Sequence, residues 1–177
     1  MRILAHIGAA YLTFLLLGAL LRILPLGVMA PQAHVVFAAY LGITARGRLP
    51  SSTLGALIIG YLADLLSGSP RGLLAFSCGL LCILAHVASS RLLVRGRVFV
   101  GVFAIVAGLF SFVILALLRA FHGAPLLPWP MELTCALGAG LVTGLLAPLL
   151  FRMSRLIDAA FARTEREREA VREGYLS

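Results

Sequence analysis

Residues Gly55 to His86 read GALIIGYLADLLSGSPRGLLAFSCGLLCILAH. Two apolar runs flank a short polar joint, Ser67-Gly68-Ser69-Pro70-Arg71-Gly72, and Asp64 is the one charge in the run before it. A bilayer-spanning helix needs about 20 mostly apolar residues, and the joint carries turn formers followed by a Ser-Pro pair suited to a helix start. The stretch therefore reads as helix, tight turn, helix. Ser69 suits the N-cap and Pro70 the first helical position, so the second helix would open with free backbone donors near Asp64.

Working outward, the chain divides at its charged and Pro/Gly-rich joints into six such pieces. They are Ile3 to Leu21, Gly27 to Ala45, Ser51 to Leu66, Gly72 to Ser90, Val98 to Leu118 and Met131 to Phe151. The second has Pro31, Gln32 and His34 near its start, which predicts a short, tilted or broken helix. Composition agrees: 61% of the 177 residues are hydrophobic and 12% are charged. That apolar excess has no place in a single soluble core of this length. The expected architecture is all-α, a polytopic membrane protein with about six transmembrane helices. A transmembrane domain over residues 1–151 precedes a charged tail over 152–177.

All 15 basic residues are arginines, and the formal net charge is +8. They lie between apolar runs and form no basic face interleaved with aromatics, which argues for topology signals rather than nucleic-acid contacts. With the N-terminus inside, the inner side holds Arg2, Arg46, Arg48, Arg91, Arg95, Arg97, Arg152, Arg155, Arg163, Arg166, Arg168 and Arg172. The outer side holds Arg22, Arg71 and Arg119, so the count is twelve against three. Six spans with both termini cytoplasmic follow from the excess of positive residues in short cytoplasmic loops. Trp129, between Pro128 and Pro130, suits the outer interface. The run from Met1 to Leu21 lacks a convincing small-residue cleavage site and reads as an uncleaved first span.

Small residues recur every four positions, at Ala56 and Gly60 before Asp64, and at Ala136, Gly140 and Gly144 before Pro148. Such faces let membrane helices approach closely, and these two are the candidates for the tightest packing. Beyond Phe151, Met153, Leu156, Ile157, Ala160 and Phe161 recur at helical spacing. Acids and arginines alternate from Arg163 to Glu173, predicting an amphipathic then self-paired solvated helix.

An acid inside a span is costly and is a functional hypothesis by default, which singles out Asp64. Its partners would be the donors of the next helix, or Arg71, Arg22 or Arg119. A structural clamp is the favoured reading, with partner binding or ion coupling as the alternative. Glu132 opens the sixth helix, where a carboxylate complements the dipole. His6, His34, His86 and His122 are dispersed and read as packing or interface residues. Cys78, Cys82 and Cys135 lie in apolar runs without the ligand spacing of a metal centre. No nucleophile elbow, P-loop or dinucleotide motif occurs, so the expectation is no catalytic, cofactor or metal site.

The segment Gly60-x3-Asp64-x2-Ser67-Gly68-Ser69-Pro70-x-Gly72 resembles the central signature of the bacterial rod shape-determining MreD family. The Ile23-Leu24-Pro25 end of the first helix, Pro31 opening the second, the chain length, the six-span layout and the basic tail after Pro148 are also similar to that family. Arg71 adds a charge to the signature turn. The resemblance implies a non-enzymatic component of the cell-elongation complex in a bacterial inner membrane. The implied partners are MreC, the MreB filament, and RodA with its penicillin-binding transpeptidase, and the implied role is to link cytoskeleton to peptidoglycan synthesis. Gly60 and Gly72 would allow close packing, while Asp64, Ser67 and Ser69 would fix the turn and present an outer surface. The alternatives are a substrate-capturing subunit of a vitamin-type uptake transporter and an integral membrane enzyme.

Overall fold

The computed structural model describes the backbone of residues 2–23, 31–45, 49–67, 72–91, 97–121 and 128–174. Side chains are described there except at 22, 90, 91, 97–100, 118 and 162–174. Among the described residues six helices run in order: α1 Arg2–Ile23, α2 Ala33–Ile43, α3 Leu49–Ser67, α4 Leu73–Arg91, α5 Arg97–Phe121 and α6 Trp129–Gly174. Among the described residues there is no strand. The segments Arg2–Leu21, Leu49–Ser67, Gly101–Phe121 and Trp129–Phe161 are each long and apolar enough to cross a membrane. The outward faces suit lipid: Leu12, Leu16 and Leu145 are 61%, 72% and 82% exposed on helices whose other sides are packed.

α2 is short, as Pro31, Gln32 and His34 near its expected start suggested. It begins at Ala33 rather than Gly27, and Pro31 and Gln32 precede it in non-helical backbone. Residues 27–30, expected to open this helix, lie outside the described residues. Eleven residues rise about 16 Å, roughly half the hydrocarbon thickness, so α2 does not span a bilayer alone. It serves instead as the hub. Val35 to Gly42 are all buried, in a helix that is apolar around its whole circumference. The other five helices surround it, as expected for a helix with no polar face. The apolar stretch of α4, Leu73–Ser89, is also shorter than the four long segments.

α6 is the second departure. Its 46 residues continue through Pro148 and past Phe151 to Gly174, so no break in secondary structure marks position 152. Pro148 has no N–H to return to the Gly144 carbonyl, and the backbone of Gly101 on α5 runs beside that carbonyl. The packed face beyond Phe151 also differs in register. Ser154 is 1% exposed and Met153, Ile157, Asp158 and Phe161 are part-buried, whereas Leu156 and Ala160 turn outward.

Close backbone contacts fix the helix pairs. A Cβ on Gly42 would overlap the Cys82 carbonyl of α4. On α6, a Cβ on Gly144 would overlap the Ile105 side chain, and Gly140 faces Leu109. Gly108 of α5 in turn faces the Gly140 backbone. Ala136 is buried on the same side of α6 as these glycines, so this small-residue face is occupied within the chain by α5.

Candidate functional site

The joint between α3 and α4 is built around Asp64, 1% exposed near the end of α3. Its carboxylate accepts three backbone N–H bonds from the start of α4. Leu74 donates to Oδ1 at 2.9 Å, and Gly72 and Ala75 donate to Oδ2 at 3.0 and 3.1 Å. The first-turn donors of a helix have no intrahelical partner, and a side-chain oxygen just before the helix usually takes them. Here the oxygen arrives from the neighbouring helix. The negative charge also meets the positive end of the α4 dipole.

The cap differs from the one the sequence suggested. α4 begins at Leu73 with Gly72 directly before it, while Ser69 and Pro70, the suggested cap and first residue, lie outside the described residues. The Gly72 carbonyl accepts the first helical bond from Phe76 at 2.9 Å. Gly72 has φ +93, a left-handed conformation that a residue with a Cβ adopts only at a cost. Ser67 donates its hydroxyl to the Asp64 carbonyl at 3.4 Å. Gly68, Ser69, Pro70 and Arg71 lie outside the described residues, as does the Arg22 side chain. Among the described residues, the ion pairs are at the opposite end of the bundle.

One turn before Asp64, Gly60 lets α3 and α4 touch backbone to backbone. A Cβ there would sit 2.5 Å from the Leu74 carbonyl oxygen and 2.6 Å from the Ala75 Cα. Ala56, a further turn back, is 0% exposed. Ala63, Leu73, Leu74 and Leu115 with Phe14 cover the joint in apolar groups. Gly60 and Asp64 thus serve one purpose: the glycine brings the backbones together and the carboxylate satisfies the donors buried by that approach. An ionised carboxylate has about four acceptor sites, and these three N–H groups take three of those of Asp64.

A second polar cluster, which the sequence reading did not single out, joins α1, α2 and α6. Asp158 accepts Arg2 Nε at 2.7 Å on Oδ1, and Arg2 Nη2 at 2.6 Å and the Tyr40 hydroxyl at 2.8 Å on Oδ2. Arg2 Nη2 also donates to Thr44 Oγ1 at 3.0 Å. Tyr40 stacks on His6 at 5.6 Å and meets Phe151 edge-on at 5.2 Å. A sequence signal existed in two pairs at four-residue spacing, Arg2 with His6 and Tyr40 with Thr44. Their acid, Asp158, lies in the segment that reads as an amphipathic, charged tail.

The remaining polar residues are scattered. His86 Nδ1 lies 3.2 Å from the Gly42 carbonyl at the end of α2, where an imidazole N–H can cap it. Gln32 donates its backbone N–H to Thr143 at 2.9 Å, while its Oε1 and His34 Nε2 are buried without partners. Glu132 is buried in the first turn of α6 with Oε1 unpartnered, and His122 lies outside the described residues. Cys78, Cys82 and Cys135 are free thiols. Among the described residues, no three His, Cys, Asp or Glu side chains are grouped to hold a metal ion. Compared with models of protein families, with curated proteins and with solved structures, the chain finds no match.

Proposed function

We propose that the protein is a non-enzymatic scaffold of the cell-elongation complex in a bacterial inner membrane, organising MreC and linking the MreB filament to peptidoglycan synthesis by RodA and its transpeptidase. The carrying observation is the use made of Asp64. The acid at the centre of the family-like signature is consumed in joining two helices through three backbone bonds, and Gly60 of the same signature provides the close approach. That chemistry suits a rigid surface for other membrane helices. The Arg2–Asp158 pair supports both ends lying on one side, since it sets the start of α1 beside the late part of α6. With the arginine distribution, that side is cytoplasmic.

Depletion in a rod-shaped host tests the reading. Cells should round up within a few generations, and Gly60→Leu, which separates α3 from α4, should fail to restore the rod. Cells that stay rod-shaped with MreC normally placed overturn it.

One observation favours a second reading, a substrate-capturing subunit of a vitamin-type uptake system. Gln32 Oε1 and His34 Nε2 are unpartnered at the start of a helix that begins inside the bundle. A broken helix with free polar groups is a common way to hold a polar ligand between membrane helices. A vitamin that raises thermal stability in proportion to the logarithm of its concentration, with the effect lost in His34→Ala, supports this reading over the scaffold.

A further inference from the structure

Leu145, Leu149, Arg152 and Leu156 follow one another at intervals of four, three and four residues, which places them on one face of α6. All four are exposed, Leu149 at 63% and Leu156 at 64%. Arg155, exposed as well, lies one turn from Arg152 at the side of that face. A cation thus interrupts a stripe of outward leucines, in a segment long and apolar enough to cross a membrane. Among the described residues neither arginine makes an ion pair or a hydrogen bond. Asp158, the acid nearest to them in sequence, is already held by Arg2 and Tyr40. The charge on this face therefore has no anion within the chain.

Depth decides what meets it. Trp129, 78% exposed where α6 begins, suits a membrane interface. Arg152 follows it by 23 residues, about 34 Å of helix, and Arg155 by 26, about 39 Å. The hydrocarbon is about 30 Å thick, and the bilayer with its headgroups about 40–45 Å. With the indole at one interface, both guanidinium groups fall in the headgroup layer of the opposite leaflet. A helix tilt of about 20° shortens the first distance only to about 32 Å. Leu149 and Leu145 then lie about 5 and 10 Å deeper than Arg152, where acyl chains run.

We propose that this face of α6 is a binding site for one anionic glycerophospholipid, of the phosphatidylglycerol type, in the leaflet beside Arg2 and Asp158. Its phosphate bridges Arg152 and Arg155, whose planar guanidinium groups suit two-point contact with phosphate oxygens. One acyl chain lies along Leu149 and Leu145. A zwitterionic lipid brings an ammonium group along with its phosphate and leaves the pair of arginines uncompensated, so the site selects the anionic headgroup. The bound lipid fixes how far α6 can slide through the bilayer, and with it the level at which Asp158 meets α1 and α2. The inference needs only that α6 crosses a bilayer, and it holds whichever function the bundle serves.

Tryptophan quenching in vesicles tests the site. In a Trp129→Phe background, Leu149→Trp reports the lipid on this face, and Leu16→Trp reports the lipid on the exposed side of α1. The vesicles mix phosphatidylcholine with phosphatidylglycerol, one of the two carrying brominated chains. At Leu149→Trp, phosphatidylglycerol should be favoured at least about fivefold, the factor that one surface arginine supplies. At Leu16→Trp the ratio should be near one. Arg152→Gln should remove most of the preference, and the double variant with Arg155→Gln all of it. Inorganic phosphate in the buffer should leave the ratio unchanged; a preference that collapses with phosphate identifies a free-anion site and overturns the lipid reading. Equal ratios at the two reporters, or a double variant that keeps the preference, overturn it as well. If a variant loses its helical circular dichroism, native mass spectrometry of the wild-type chain serves instead. The chain should retain phosphatidylglycerol over phosphatidylcholine of matched chains, and equal retention overturns the proposal.

Discussion

Replacing Asp64 probes the α3–α4 joint with a graded series. In Asp64→Asn the side chain keeps its shape but has one oxygen. With that oxygen in the Oδ2 position it still accepts Gly72 and Ala75, and the amide then points donor to donor at the Leu74 N–H, which is buried. A buried donor left without its charged partner costs about 1–3 kcal/mol, and losing a negative charge at a partly buried helix N-terminus costs up to about 2 kcal/mol. The expected destabilisation is therefore about 3 kcal/mol. Asp64→Ala orphans all three donors and should cost about 5 kcal/mol on the same scale. Reversible unfolding of the purified protein in mixed micelles with rising SDS, followed by helical circular dichroism, measures both. Salt should leave the differences nearly unchanged because the charge is buried. Equal stability of Asp64→Asn and wild type, or an Asn variant weaker than the Ala variant, would refute the capping argument.

The same measurement separates two kinds of glycine. Gly60→Ala drives a methyl into the backbone of Leu74 and Ala75 and should cost about 1–3 kcal/mol, whereas Gly140→Ala meets the Leu109 side chain at an ordinary van der Waals distance of 3.5 Å and should cost under about 1 kcal/mol. Tyr40→Phe removes the hydroxyl bond to Asp158 but keeps the ring against His6 and Phe151, so a loss of about 1–2 kcal/mol is expected.

Six helices were legible because runs of apolar residues of membrane length leave few alternatives. The α3–α4 joint was legible because Asp64 was the costly acid beside a turn and a helix start. Its cap was not, since local rules look for a capping side chain just before the helix, and here the carboxylate that takes the Leu74 N–H comes from α3. The hub role of α2 was hidden, although its shortness was not, because a buried hub and a lipid-facing span are both uniformly apolar; hydropathy does not distinguish a protein neighbour from a lipid one. The Asp158 cluster was missed for a different reason. A charge-rich segment resembles a solvated tail, yet α6 continues past Phe151 and places Asp158 against α1 and α2.

In a bilayer the hydrophobic effect does not hold helices together, so close backbone approach and polar joints must set the arrangement. The joints here form one connected set. Gly60 and Asp64 tie α3 to α4; Gly42 and His86 tie α4 to α2; the Asp158 cluster ties α2 to α1 and α6; Gly140 and Gly144 tie α6 to α5. Thirteen residues of α4 separate its start at the Asp64 joint from His86, about 20 Å, and His86 meets α2 two residues before Thr44 of the other cluster. Sites that far apart without shared partners usually add within about 0.5 kcal/mol. The double variant Asp64→Asn with Asp158→Asn should therefore lose the sum of the single losses. A coupling of 1 kcal/mol or more in the same SDS titration would mean that α2 or α4 transmits strain between the two ends, and the bundle would have to be treated as one mechanical unit rather than as independent clamps around a hub.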